Sequence, residues 1–194
     1  MTYAALWERA LPYLGVRRND EHTRYSFRFA EQLVPSCSAR PEIALPAILL
    51  HDVGWSTVPE DRILGAFGPH LKYPDLRRQH EVEGVRIARE ILAAVGWPEV
   101  EAEAIAAIID GHDTRPAPRS VEDAVVKDAD KLWLFTPFGL ATVREWFAYS
   151  VAEYLTYLDG LGADRLHTEP GRQMGRGLLV ALRAHHEPTG PAER

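Results

Sequence analysis

Apolar residues recur every three to four positions along almost the whole chain, and this spacing restricts the fold more than any other feature. Tyr25, Phe29 and Leu33 form one such stripe, and the isoleucines at 105, 108 and 109 form another. Residues at this spacing share one face of an α-helix. No stretch of useful length alternates apolar and polar residues with period two, which argues against a sheet. The sequence therefore predicts an all-α protein.

Clusters of Gly, Pro, Asn and Asp divide this helical pattern into segments. They occupy residues 15–20, 54–75, 96–98, 114–120, 136–139 and 160–171. Such residues break helices, so we expect about seven helices in a single-domain bundle over residues 1–194, with a frayed tail at 187–194. Pro41-Glu42 resembles a first helical turn, and Ser120 with Asp123 resembles a capping box. Pro46 should either kink its helix or move the start of that helix to about Pro46.

Composition excludes several classes of protein. The 194 residues, 46% hydrophobic and 26% charged, can bury a substantial core. A net charge of −6 offers no broad basic surface, so we expect neither a nucleic-acid nor a membrane partner. Cys37 is the only cysteine, which excludes an intrachain disulfide and a thiolate metal site. No signal-peptide pattern or membrane-length apolar run is seen, and a cytoplasmic location is the default expectation.

Histidines and aspartates at the ends or on the apolar faces of the predicted helices are candidate metal ligands. They are His22, His51, Asp52, His80, His112 and Asp130. Imidazole nitrogens and carboxylate oxygens bind divalent metals, and helices of a bundle can direct them into one interior cavity. The set exceeds what one ion usually takes from protein, but it suits two ions that share a bridging carboxylate. Asp52 closes the most apolar helix, where an unpaired carboxylate would be very costly.

Each candidate also has a structural interpretation when it is taken alone. A single histidine on an apolar face is more often packed in the core than bound to a metal. Asp130 could be a helix cap or an ion-pair partner of Lys127 or Lys131, and Asp128 could play the same part. The remaining histidines in loops or near the C-terminus are interpreted as non-functional: His70, His167, His185 and His186. The metal hypothesis therefore rests on the joint pattern.

The joint pattern resembles the HD superfamily of metal-dependent phosphohydrolases. The matching stretches are His22-Thr23-Arg24, residues 47–54 (Ala-Ile-Leu-Leu-His-Asp-Val-Gly), 80–84 with Ala88 and Ile91-Leu92, 105–112, and 128–132 (Asp-Ala-Asp-Lys-Leu). The resemblance covers about residues 22–133 and leaves 134–186 as additional helices. It implies an all-α fold around a metal centre.

The resemblance also implies a role for each candidate ligand. His22, His51, Asp52 and Asp130 would hold a first metal, and His80 and His112 a second, with Asp52 bridging the pair. Asp130 is preferred over Asp128 because the aspartate of the family immediately precedes a Lys or Arg, here Lys131. The metals would be one or two divalent ions per chain, drawn from Mn, Fe, Co, Ni, Mg or Zn, because these ligands do not discriminate among them.

The implied activity is hydrolysis of a phosphate ester or anhydride by a metal-activated water, on a nucleotide or another small phosphorylated metabolite. Asp52, His80 and His112 would be catalytic, with Lys131 and Arg24 as the nearest basic groups for the phosphate. Two alternatives stay open: a di-iron oxygenase of the HD-like type, and a nucleotide-binding module without catalysis.

Two further features bear on the pocket and on assembly. Trp133-Leu134-Phe135 is more apolar than in many relatives of this superfamily, and it either shapes a pocket for an apolar substrate portion or belongs to the core. The tryptophans provide large apolar surfaces for a core or for the interface of a homodimer, so a dimer is an open expectation.

Overall fold

The chain is all-helical, as predicted, in the residues that the computed structural model describes, 2–68 and 70–186. Within them are ten α-helices rather than about seven: α1 (Tyr3–Ala10), α2 (Asn19–Cys37), α3 (Pro41–Leu50), α4 (Glu60–Ala66), α5 (Pro74–Ala94), α6 (Glu99–Ile109), α7 (Val121–Leu132), α8 (Pro137–Phe147), α9 (Val151–Leu161) and α10 (Glu169–His186). Short 3₁₀ helices span Leu11–Tyr13, Val53–Thr57, Trp133–Phe135 and Ala163–Arg165. The tail predicted at 187–194 lies outside the described residues.

The additional helices lie where helix breakers cluster, because several of those residues start a helix instead of interrupting one. Pro137 occupies the first turn of α8, where its missing N–H is not needed, and the hydroxyl of Thr136 accepts the N–H of Gly139. Similarly, α4 lies inside the stretch 54–75 that was expected to be irregular. None of the described helices is both long and apolar enough to cross a membrane.

Helix α3 lies at the centre of the molecule. All residues from Ile43 to Leu50 are buried, and α1, α2, α6 and α7 pack around them. The helix begins at Pro41, as predicted, and continues through Pro46, so the alternative start at Pro46 is wrong. Because α3 ends in the middle of the protein, His51 at its C-terminus is fully buried.

Helix α2 presents small residues to α3 and α7. The predicted stripe is wrong at Tyr25, which is 37% exposed and stacks on Phe138 with ring centroids 4.6 Å apart. The buried face instead runs through His22, Ser26 and Ala30. Small side chains allow α7 to approach α2 closely, and this approach brings His22 towards the candidate ligand Asp130 on α7.

A glycine contact joins the segment after α3 to α5. A Cβ placed on Gly54 would clash with the carbonyl oxygen of His80 and would lie 2.6 Å from the backbone nitrogen of Gly84. Only glycine therefore lets the 3₁₀ helix Val53–Thr57 lie directly against α5. This contact places Asp52 beside His80.

Candidate metal centre

Three predicted ligands converge where α2, α3 and α7 meet. His22 lies in the first turn of α2, His51 closes α3, and Asp130 lies on the inner face of α7. The Nε2 atom of His22 is 3.2 Å from Nε2 of His51 and 3.2 Å from Oδ1 of Asp130. Nε2 of His51 is 3.3 Å from the same carboxylate oxygen. All three residues are buried, and we call them the first ligand group.

A second ligand group forms between α5 and the turn after α6. The Nε2 atoms of His80 and His112 are 3.3 Å apart, and Oδ2 of Asp113 is 3.8 Å from Nε2 of His80. His80 and His112 were predicted, whereas Asp113 was missed. A signal for it was present, because His112-Asp113 is a second His-Asp dipeptide that follows an apolar helix, like His51-Asp52.

Asp52 lies between the two groups and offers one carboxylate oxygen to each. Its Oδ2 is 3.4 Å from Nε2 of both His22 and His51. Its Oδ1 is 3.4 Å from Nε2 of His112 and 3.8 Å from Nε2 of His80. In this position Asp52 would contribute one carboxylate oxygen to a cation in each group.

The spacing of these atoms fits metal ligation. Ligand atoms about 2.0–2.2 Å from one ion, in tetrahedral or octahedral geometry, lie about 3.0–3.5 Å from one another. The distances within the first group are 3.2–3.3 Å. The first group therefore has the spacing of ligands to one divalent cation. The same donor types recur in the second group, where the distances are 3.3 and 3.8 Å.

One histidine of each group is oriented by the last turn of the helix that precedes it. Nδ1 of His51 lies 2.7 Å from the carbonyl oxygen of Ile48, and Nδ1 of His112 lies 2.9 Å from that of Ile109. A carbonyl can only accept, so Nδ1 carries the proton in both rings. Nε2 is thereby left to face the centre. A hydrogen bond from the other ring nitrogen to a backbone carbonyl commonly supports a metal-bound histidine in this way.

The aspartates of the centre are ionised. Burial alone would raise the pKa of each, but His51 and the other imidazoles hold the pKa of Asp52 well below its usual range. Lys131 does the same for Asp113 and Asp130, because its Nζ lies 3.0 Å from Oδ1 of Asp113 and 2.7 Å from Oδ2 of Asp130. These contacts give Lys131 a structural role between the two groups.

The two groups differ in the proton affinity of their histidines. Burial opposes a charge on His51, but Asp52 and Asp130 outweigh it and raise the pKa of that imidazole to about 9. Burial and the neighbouring His112 lower the pKa of His80 to about 4. In the absence of metal, the first group therefore holds a proton at neutral pH, whereas His80 is neutral.

Buried polar residues outside the predicted set hold the turn after α6. The carboxylate of Glu81 accepts the backbone N–H groups of Asp113 and Thr114 at 2.9 and 2.8 Å, together with the Thr114 hydroxyl at 2.7 Å. Lys127 donates to the carbonyls of Gly111 and His112 at 3.1 and 2.5 Å. No periodic pattern in the sequence marked these contacts, because they join side chains to the backbone of an irregular turn.

Asp128 has a structural role, but it is neither the helix cap nor the ion pair that was considered for it. Its carboxylate accepts the backbone N–H groups of His167 and Thr168, at 2.7 and 2.8 Å, which ties α7 to the start of α10. Asp130 rather than Asp128 therefore points into the centre. None of the four histidines interpreted as non-functional belongs to either ligand group.

A cavity of about 340 Å³ opens onto both ligand groups. Arg77 and Lys131 line it beside Asp113, and Arg17, Trp133 and Leu134 line it as well. All three residues of the apolar segment are packed in one core cluster, and Trp133 and Leu134 also line the cavity, so the segment serves both the core and the pocket.

Arg24 requires a correction, because it does not line this cavity. Its guanidinium lies 4.3 Å from the ring centre of Trp7, on the outside of α2. Two residues along a helix turn the side-chain direction by about 200°, so Arg24 points away from the face that carries His22. Arg77 lies three residues before His80, which places both on one face of α5.

Comparisons with known proteins agree with this architecture. A crystal structure of a protein from Lactobacillus plantarum is 18% identical, with a TM-score of 0.59, and the alignment covers 94% of this chain and 92% of that one. This likeness supports the fold alone. No curated protein matches the sequence significantly. The family model of the HD domain matches residues 19–133 of the sequence, and this range contains both ligand groups and Asp52. The chain therefore belongs to the HD domain family.

Proposed function

We propose that this protein is a metal-dependent phosphohydrolase that cleaves a phosphate ester or anhydride of a small molecule. The observation that carries the proposal is the position of Asp52, which presents one carboxylate oxygen to each of two buried His/Asp groups. A cavity of small-molecule size opens onto these groups. The HD domain family consists generally of metal-dependent hydrolases, which favours the same activity.

The residues that would hold the cations are the two ligand groups together with Asp52. Divalent ions bound there would polarise a phosphoryl oxygen, lower the pKa of water, and offset charge in the transition state. The protein holds the ligands in place before substrate arrives. Ile48 and Ile109 orient one imidazole in each group, and Lys131 fixes the outer oxygens of the aspartates.

Arginine side chains of the cavity would orient the phosphate. Arg77 donates to the carbonyl oxygen of Asp113 at 2.9 Å, and Arg17 donates to that of Glu60 at 2.8 Å. Each guanidinium also has a buried Nε–H with no acceptor among the described residues. Guanidinium groups match the geometry of phosphate oxygens, so Arg17 and Arg77 replace Arg24 as our candidates for phosphate binding.

The test is phosphate release by metal-stripped protein reloaded separately with Mn²⁺, Co²⁺, Fe²⁺, Mg²⁺ or Zn²⁺. The substrates are a panel of nucleotides and phosphate esters, and Asp52→Ala is the control. We expect metal-dependent release that the variant lacks. Turnover with Mg²⁺ or Zn²⁺ would exclude oxygen chemistry, because these ions are redox-inert. If no substrate of the panel releases phosphate and the iron-loaded protein consumes oxygen, the proposal is overturned in favour of an oxygenase.

A further inference from the structure

Aromatic rings form a continuous arc along one wall of the cavity. We define the aromatic arc, in spatial order, as Trp133, Trp146, Phe67 and Trp55. The centroids of successive rings are 6.1, 5.5 and 5.7 Å apart, and each successive pair meets at a steep angle of 66–67°. Such edge-to-face contacts are favourable for aromatic pairs, so the arc is a packed apolar surface.

The arc begins and ends at the metal ligands themselves. The ring of Trp133 lies 5.0 Å from that of His22 in the first group. The indole of Trp55 stacks on His80 of the second group, with centroids 3.8 Å apart and ring planes 9° apart. An apolar group attached directly to a phosphate at the centre would therefore have aromatic carbon within reach next to both ligand groups.

Two polar groups of the cavity next to Asp52 are hydrogen-bonded within the protein. The Asn19 amide donates to the carbonyl oxygen of Asp52 at 3.2 Å, and the Trp55 N–H donates to the carboxylate of Asp52 at 3.1 Å. Arg77 and Lys131 lie beside Asp113, where they suit a phosphate, and Arg17 also lines the cavity. Apart from Asn19 and the phenol of Tyr157, none of the described lining residues carries an amide or a hydroxyl group.

A nucleotide fits this wall poorly. Its ribose would bring hydroxyl groups against the arc next to the metal ligands, and its base would bring several donors and acceptors against apolar carbon. Each polar group that faces ring carbon would lose a hydrogen bond to water without gaining one there, which costs free energy. An apolar substituent gains free energy from the same burial. The cavity volume of about 340 Å³ is also near the lower end of the roughly 300–1,000 Å³ of small-molecule sites, so the substituent is small.

We propose that the substrate is a phosphate monoester of a small apolar alcohol, aromatic or aliphatic, and not a nucleotide. This inference rests on the proposed function and narrows its substrate class. In the reaction, water forms a new P–O bond, the P–O bond to the alcohol breaks, and a proton from water leaves with the alcohol. The products are the free alcohol and inorganic phosphate.

The substrate test compares benzyl phosphate with AMP on the metal-reloaded full chain. Both esters have a primary alcohol as leaving group, so the comparison isolates recognition from chemical reactivity. We expect kcat/KM for benzyl phosphate to exceed that for AMP at least tenfold. Equal values, or a preference for AMP, would overturn the inference and leave the proposed hydrolase intact.

The role of the arc is tested with Trp146→Ala, and Trp97→Ala is the matched control. Trp97 packs against Tyr3, with centroids 6.2 Å apart, and does not line the cavity. In Trp146→Ala the ratio of kcat/KM for benzyl phosphate to that for AMP should fall to within about twofold of unity. The ratio should be unchanged in Trp97→Ala. If Trp146→Ala keeps the ratio of the unaltered protein, the assignment of the arc as the substrate-binding wall is overturned.

Binding of benzylphosphonate, which cannot be hydrolysed at its P–C bond, separates this inference from the proposed function. By calorimetry, we expect binding that Trp146→Ala weakens about tenfold and Trp97→Ala preserves. If benzylphosphonate binds in this way but no phosphate ester is hydrolysed, the proposed hydrolase function is overturned and the apolar subsite is supported. Benzylphosphonate that binds no better than inorganic phosphate would overturn the subsite.

Discussion

The two ligand groups contain the same residue types but are built on different supports. The first takes His22, His51 and Asp130 from three helices that pack together in the core. The second takes His80 from α5 and its other ligands from an irregular turn. Distances are 3.2–3.3 Å in the first group and 3.3–3.8 Å in the second. Helical supports hold ligands more rigidly than a turn, so we expect the first group to bind its ion more tightly.

The largest effect is expected from Asp52→Ala, because this residue serves both groups. The variant loses the shared carboxylate, and the remaining imidazoles lie close together with less negative charge between them. We expect both ions to be lost on dialysis and activity to fall more than about a hundredfold, since even outer-shell changes cost about 10–100-fold. Elemental analysis measures the metal content after dialysis, and phosphate release measures the activity. Asp61→Asn, at an exposed position on α4, is the control. Retention of two ions by Asp52→Ala would contradict a bridging role.

The expected difference in metal affinity between the two groups is tested with the variants His22→Ala and His80→Ala. Each variant serves as the control for the other. His22→Ala should remove the tighter ion, and the weaker ion should then bind less well because Asp52 is no longer held by a neighbouring cation. His80→Ala should leave one ion bound with nearly the original affinity. Calorimetric titration with Mn²⁺ distinguishes the two, and circular dichroism checks the helical content. Equal loss of both ions in the two variants would show that the groups bind as one unit.

The groups should also respond differently to pH in metal-free protein. His51 has a raised pKa of about 9, so its contribution to folding is complete below pH 6.5 and is lost as the pH rises through about 9. His80 has a lowered pKa of about 4, so its contribution is present above pH 6.5 and is lost as the pH falls through about 4.

Metal affinity should follow from this difference. The first ion must displace a proton from His51, so its affinity should rise about tenfold per pH unit between pH 6.5 and 9. Burial opposes a charge on His112, but Asp52 and Asp113 raise its pKa, so binding of the second ion should also release a proton at pH values below that pKa. Imidazole signals in NMR titrations assign the protons. A first-ion affinity that is flat with pH would contradict the raised pKa.

The sequence allowed most of the centre to be predicted because each of those ligands lies on a helix or within three residues of the end of one. His80, for example, is four residues before Gly84 on the same apolar stripe, and the structure buries both. Residues of the turn after α6 have no such periodicity, so Asp113 and the contacts that hold it were missed. Arg24 was chosen for its closeness to His22 in sequence, but closeness along a helix does not mean a shared face.

The fold itself was predictable in class and less so in detail. Apolar spacing indicated helices throughout, and the burial of α3 on all sides agrees with its unbroken apolar run from Ile43 to Leu50. The number of helices was underestimated because Pro and Thr at positions such as Pro137 and Thr136 start helices as well as break them. The aromatic arc could not be predicted, since its rings come from four separate segments that only tertiary packing brings together.

The smallest effect, and the most selective, is expected from Glu81→Gln. The charged carboxylate accepts three hydrogen bonds from Asp113 and Thr114, and its pKa is lowered by Arg78 and Thr114 although burial opposes this. Glutamine has one acceptor oxygen and an amide that can only donate, so the turn that carries His112 and Asp113 should loosen. The second ion should bind about tenfold more weakly, and the first ion should be unaffected. Glu90→Gln, an exposed change on the same helix, should leave both affinities as they are. Equal weakening of both ions in Glu81→Gln would mean that the turn supports the whole centre, and the contrast between the two groups would then lie in their charges alone.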